Sequence, residues 1–390
     1  MAPRNQGPIT LPEPSAEEHA HSERVSALIR DEIARAGSIA FSRFMELALY
    51  APGLGYYAAG KRKFGAAGDF ITAPESYPVF GRCLATAVQS ILDQLGGGDV
   101  LEAGAGSGKL AATLLRELAA RGALPDTYLI LELSADLRER QAATIEQTAP
   151  EHAARVRWLD RLPEPGFRGL VLANELLDAM PVERFKVAAD GVKRMGVTWR
   201  DASFSWVERP APSIVAERVH PLMLVPGYVS EIGLAAQAWV RSIGERVAAG
   251  VLLFIDYGFP RAEFYHPDRA TGTLMCHYRH RAHTDPLILP GLQDITAHVD
   301  FTAIAQAGTD IGLDLLGYTS QAAFLLGNGL DEFVRASVPG NVREHLALTE
   351  QVKKLTLPHE MGELFKVIAL GRGIERELSA FALQDRRLRL

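Results

Sequence analysis

The chain has 390 residues, 47% of them hydrophobic and 23% charged, enough to bury a full core in one large domain or two smaller ones. A formal net charge of −6 argues against a protein that holds nucleic acid by general electrostatics, and no run approaches ~18 consecutive apolar residues, so no membrane span is expected. Two cysteines, Cys83 and Cys276, are too few for a disulfide framework and lack paired metal-ligand spacing; they read as core thiols in a reducing cytoplasm.

Residues 1–21 hold four prolines and the acids Glu13, Glu17 and Glu18, without an apolar signal core, and read as a disordered arm. From 22 to 36, Val25, Leu28, Ile29 and Ile33 fall at helical spacing and Gly37 follows as a cap. A short helix around Phe44, Leu47 and Ala48 is broken by YAPGLGYYAA at 50–59. Basic KRKFG and then GDFITAPE at 68–75 follow, so that 22–98 reads as a helical and loop region serving as a lid or in substrate recognition. It closes with an amphipathic helix through Phe80, Leu84, Val88, Ile91, Leu92 and Leu95, ended by Gly96-Gly97-Gly98.

The stretch DVLEAGAGSGK at 99–109 joins a buried apolar run, three alternating glycines and a helical pattern. That is a strand-loop-helix nucleotide site. A dinucleotide fingerprint would need glycine where Lys109 stands, and a P-loop would need glycine and Ser/Thr where Ala103 and Leu110 stand. What remains, E-x-G-x-G-x-G from Glu102 through Gly104 and Gly106 to Gly108, suits a ligand with a cationic amino group and no pyrophosphate. It resembles motif I of class I S-adenosylmethionine (SAM) methyltransferases.

A second buried strand at 128–131 ends at Glu132, and Ser134 is placed to cap the next helix. Two βα units in tandem imply a parallel, doubly wound sheet, in which an acid ending the second strand reaches ribose hydroxyls. A third strand at 155–159 ends at Asp160, an acceptor for an adenine amino group, with Trp158 as a wall for the ring. The fourth, 170–173, delivers Asn174, Glu175 and Asp178 to the sheet edge. Residues 183–228 read as an antiparallel insertion, with a hairpin at Asp190-Gly191. A fifth strand, 251–255, ends in Asp256. The segment 260–300 lacks regular pattern but holds His277, His280, His283, His298, Asp294 and Asp300. No helix there sets two histidines on one face, so it reads as a solvated or substrate-facing loop and no metal is expected. The core closes with a strand at 364–370, and 372–390 reads as a charged helical tail.

With these residues assembled, the chain resembles the MidA-like SAM-dependent methyltransferases, which include the mitochondrial protein-arginine methyltransferase that assists assembly of respiratory complex I. The likeness runs from about residue 38 to 371: GYY at 55–57, GDFITAPE, the Glu102 to Gly108 loop, NELLDAMP at 174–181, IDYG at 255–258, DITAHVDF at 294–301 and MGELFKV at 361–367. It departs at Ala103 and Ala105 in the loop, both small enough to keep cofactor binding, and at Ser76-Tyr77-Pro78 and Arg82, which touch substrate identity more than fold. The resemblance implies an α/β class I fold with its core at 99–371, SAM as cofactor and a protein substrate, with the number of subunits left open and a homodimer among the options. Glu102 would hold the methionine ammonium beside Gly104, Gly106, Gly108 and Asn174, while Glu132 would take the ribose and Asp160 the adenine. Glu175, Asp178 and Asp256 would orient a substrate guanidinium, with Asp69 and His280 as further contacts. The alternative is a SAM-binding assembly factor or interaction module with little turnover.

Overall fold

Apolar runs that end in glycine or an acid build the larger of two units. The computed structural model describes residues 11–59, 73–336 and 342–390, and these group into one unit of 11–59, 178–236 and 261–300 and another of 73–177, 237–260 and 301–390 without 337–341.

The second unit is a doubly wound sheet. Its strands are β1 (Asp99–Ala103), β2 (Tyr128–Leu131), β3 (Val156–Leu159), β4 (Phe167–Asn174), β5 (Val247–Phe259), β6 (Asp314–Ser320) and β7 (Phe365–Arg372). They lie in the order β6-β7-β5-β4-β1-β2-β3, with β7 antiparallel to both its neighbours and the pairs from β5 through β3 parallel. The order reverses between β1 and β4, and a crevice beyond the carboxyl ends at such a reversal is where doubly wound sheets take ligands. Leu170, Val171 and Leu172 are fully buried, as expected for a central parallel strand covered on both faces. The helix Pro78–Leu95 ends at Gly96 in the left-handed region, and its Phe80, Leu84, Val88 and Ile91 join the main core. Residues 22–98 are thus not one region: 22–59 belong to the first unit and 73–98 to the second.

The expected helical tail is not a helix. After β7 the chain makes only the short 3-10 turns Ser379–Phe381 and Arg387–Arg389. Local contacts outweigh helix propensity here. Phe381 is buried with its ring 5.8 Å from Phe324, and the Arg386 guanidinium donates to both carboxylate oxygens of Glu363 at 2.8 Å.

In the first unit a helix runs from Ala16 to Ala36, so the arm expected through residue 21 is helical from Ala16 onward. The reason lies in the capping box: the Glu18 amide donates to Ser15 Oγ, and the Ser15 amide donates to Glu18 Oε2 at 2.8 Å. An antiparallel sheet follows, in the order Ile39–Ala40, Gly191–Arg200, Glu183–Ala188, Val229–Ile232, with Ser203–Pro210 pairing with Gly191–Arg200. The segment read as irregular contains a second small sheet, Arg281–His283, Met275–Tyr278 and Asp294–Thr296. Its strands are too short for alternation to stand out. Cys83 lies buried in the second unit and Cys276 buried in the first. No helix of the described residues is long and apolar enough to cross a membrane.

Candidate active site

The site is built at the carboxyl ends of β1, β2 and β4. Glu102 points to the same face of β1 as Val100, among apolar side chains, and is 3% exposed. The Tyr128 hydroxyl, from β2, donates to its Oε2 at 2.6 Å. Burial raises the Glu102 carboxyl to about 7, against the smaller lowering effect of that hydrogen bond. A buried acid with one donor is set to take a cation.

Gly104, Gly106 and Gly108 all have positive φ, of 72°, 54° and 85°. The requirement is strictest at Gly108, where a Cβ would also lie 2.9 Å from Gln141 Cα, a backbone atom that cannot step aside. Gly108 opens the helix Lys109–Ala120 and offers no side-chain cap, so the first amides of that helix face outward as anion donors. The same end of the loop is tied to the helical turn Ala73–Ser76. Ser107 Oγ donates to Glu75 Oε1, and Lys109 Nζ lies 3.0 Å from Glu75 Oε2. Lys109, which excluded a dinucleotide fingerprint, therefore anchors the loop.

Glu132, ending β2, has both carboxylate oxygens in use: Oε1 accepts the Ser134 amide at 2.9 Å and Oε2 accepts Gln141 Nε2 at 3.1 Å. Burial still raises its pKa above the usual carboxylate range. Gln141 is the residue that sequence reasoning missed. Fully buried, it also donates to the Gly106 carbonyl at 3.1 Å and accepts from Trp158 Nε1 at 2.9 Å, joining the glycine loop, Glu132 and β3. Its only signal was a polar residue on the inward stripe of the helix Ala135–Thr148, beside Leu137 and Ile145. Asp160 stands exposed one residue past β3.

Asn174 ends β4 next to the position opposite Gly104, since Ala173 pairs with Ala103. Its Nδ2 donates to Glu175 Oε1 at 3.1 Å, while its buried Oδ1 has no partner among the described residues. Glu175 adopts φ 51°, a left-handed conformation that costs a non-glycine residue on the order of 1 kcal/mol and clusters at functional sites. Asp256, on β5 and 1% exposed, accepts the amides of Leu176 and Leu177 on Oδ2, at 3.2 and 2.8 Å, and that of Tyr257 on Oδ1 at 2.8 Å. Its carboxylate holds the turn that carries Glu175.

The remaining candidates fall in the other unit or outside the described residues. Asp178 and His280 belong to the first unit, and Asp69 lies outside the described residues. Asp178 is buried, and its carbonyl accepts the Ala297 amide. His280 is an exposed residue of the tight turn between Tyr278 and Arg281, with φ 59°. In that unit Tyr57, not named as a site candidate, donates to Asp294 Oδ1 at 2.7 Å and stacks on Tyr50 at 5.4 Å. No three His, Cys, Asp or Glu converge as metal ligands among the described residues.

The donor set of the second unit fits S-adenosyl-L-methionine. The orphaned Asn174 oxygen and buried Glu102 call for a cation, the uncapped helix for a carboxylate, and the acids ending β2 and β3 for hydroxyl and amino hydrogens. Comparison with known proteins decides the matter. A family profile described as “Putative S-adenosyl-L-methionine-dependent methyltransferase” matches residues 82–319. The chain belongs to this methyltransferase family. A solved structure from Burkholderia thailandensis bound to S-adenosyl-homocysteine is 51% identical, with a TM-score of 0.95 over 98% of this chain and 100% of that one. A native structure from the same organism is 50% identical with a TM-score of 0.93, again over 98% and 100%. Among curated proteins, the chain is 28% identical to the Drosophila melanogaster protein arginine methyltransferase NDUFAF7 homolog, mitochondrial, over 95% of this chain and 90% of that one. It is also 28% identical to the Rattus norvegicus protein arginine methyltransferase NDUFAF7, mitochondrial, over 91% and 87%. The cofactor of this methyltransferase is S-adenosyl-L-methionine.

Proposed function

We propose that the chain methylates an arginine side chain of a protein substrate. The observation that carries this reading is the carboxylate of Glu175, held in a left-handed conformation at the end of β4 by its neighbour Asn174 and by the turn that Asp256 fixes. The relatives named as protein arginine methyltransferases match across nearly the whole chain and support the acceptor class. When bound, the cofactor supplies an electrophilic methyl on a sulfonium.

The residues of this chain do the rest by position. Glu102 and Asn174 take the cationic methionine amine, Gly104, Gly106 and Gly108 admit the ligand to backbone amides, and Glu132 and Asp160 take ribose and adenine. An arginine acceptor is protonated in water and is a poor nucleophile. Glu175 pairs with the guanidinium, draws its charge toward the nitrogens that do not attack, and receives the proton lost as the new C–N bond forms. Asp256 acts through the turn it holds. Asp178, Asp69 and His280 are retained as acceptor-binding candidates, and the cytoplasm is the proposed site of action.

The test is methyl transfer from labelled SAM into arginine-containing peptides and cell protein, followed by acid hydrolysis and identification of the labelled amino acid. Methylarginine is expected, and Glu175→Gln should lower kcat by about two orders of magnitude or more with SAM affinity kept. Label on another residue overturns the acceptor class. No label with SAM bound leaves a binding module instead.

A further inference from the structure

In the first unit, the strand Ser203–Pro210 is an edge. It pairs with Gly191–Arg200 on one side, and no strand of the described residues pairs with its other side. The two strands meet in a two-residue turn, Asp201-Ala202, with φ of 49° and 58°, closed by the pair Arg200↔Ser203. In such a hairpin the closing pair exchanges both backbone bonds, and the alternation of the antiparallel ladder then directs the amides and carbonyls of Phe204, Trp206 and Glu208 outward. No other backbone group of the described residues takes them up.

Sheet edges are ordinarily guarded by charge or proline. Here Glu208, Arg209 and Pro210 guard the far half, whereas Phe204-Ser205-Trp206-Val207 carries neither. A groove of about 800 Å³ lies along this unguarded half, lined by Ser203, Phe204, Ser205 and Trp206 in succession. The groove also touches Trp199 and Arg184 on the neighbouring strands, so it takes in the sheet face shared by Phe204 and Trp206 as well as Ser203 and Ser205 of the edge strand.

The groove's chemistry is partly set already. Trp199 packs edge-on against Phe204 at 4.8 Å, and the Arg184 guanidinium lies 4.4 Å over Trp206 and 3.6 Å from buried Glu231, which neutralises it. On the facing wall, Asp285 is exposed and accepts the Leu287 amide on Oδ1 at 3.0 Å, with no ion-pair partner among the described residues. The uncompensated charge of the groove is negative.

We propose that an extended, arginine-bearing segment of the protein substrate adds to this edge as a further strand, its backbone pairing with Phe204 and Trp206 and a basic side chain meeting Asp285. This rests on the protein-arginine reading above. A second copy of the chain fits less well, because the unguarded half of its edge brings no basic residue to Asp285.

The test uses the full chain and a blocked nonapeptide of alternating valine and arginine, with binding read by calorimetry. The peptide should bind, and its backbone N-methylated analogue should bind about tenfold or more weakly, as should the parent peptide to Asp285→Lys. Neither change should alter SAM affinity, and circular dichroism should show Asp285→Lys folded. No binding, equal binding of the N-methylated analogue, or no effect of Asp285→Lys overturns the proposal. So does a dimer, seen by sedimentation, that Ser205→Lys abolishes. Peptide binding with no methylarginine formed would sink the arginine reading and not the groove; methylarginine formed without edge binding would do the reverse.

Discussion

Glu102 is an acid placed where its charge is costly until a cation arrives. Its carboxyl titrates near 4.5 unfolded and about 7 folded, because burial disfavours the ionised form. The folded state therefore binds the proton more tightly than the unfolded state. Folding stability is untaxed by this group below about pH 4.5, falls as pH rises from there to about 7, and stays lowered above. Glu102→Gln keeps an oxygen for the Tyr128 hydroxyl and removes the charge. It should raise stability by about 2–3 kcal/mol at pH 8, and by much less at pH 5, in chemical denaturation. The same variant should bind SAM about tenfold or more weakly at pH 8 by calorimetry. Equal stability of the two proteins at pH 8 would show that the carboxylate is solvated.

The glycine loop is the element proposed to set the geometry of the cofactor. Its carboxyl-terminal half is held by Glu75 on Ser107 and Lys109 and by Gln141 on Gly106, so a distortion among these residues cannot be relaxed locally. Gly108→Ala asks for φ 85° from alanine and drives a Cβ against the Gln141 backbone; about 1–3 kcal/mol of stability should be lost, with a matching fall in melting temperature. A change within error would mean the loop relaxes.

The strands that flank this loop could be read from the chain because each is an apolar run ending in a polar residue at a turn. What the sequence hid was contact-dependent. Gln141 looked like any polar helix residue until the loop carbonyl, Glu132 and Trp158 closed around it. Asp256 resembled a reacting acid, yet its oxygens hold three backbone amides. The tail 372–390 carried helix-forming residues, but Phe381 and Arg386 found partners in the core that a helix would have denied them. The small sheet at 275–296 escaped notice because its pairing is non-local and its strands are three or four residues long.

At the scale of the whole molecule, the contacts proposed for the loop, the acids and the strand ends would sum to one quantity, the free energy by which cofactor stabilises the folded chain. A ligand at about 100 times its Kd adds about 2.7 kcal/mol. SAM should accordingly raise the melting temperature by several degrees in a thermal-shift assay, and NAD should leave it unchanged. A shift with NAD alone would contradict the cofactor assignment.

The two thiols offer a different kind of readout. Burial pushes Cys83 up to about 12 and raises Cys276 well above its usual range, so neither presents a thiolate to reagents while its surroundings stay closed. Since Cys83 sits in one unit and Cys276 in the other, each unit carries its own clock for opening. Alkylation rates followed by peptide mass spectrometry should be slow at both positions. Added SAM should slow Cys83 further, because the residues proposed to hold the cofactor lie in the same unit. Whether Cys276 slows in step then measures, without any label or probe being engineered in, how far a ligand held by one unit is felt in the other.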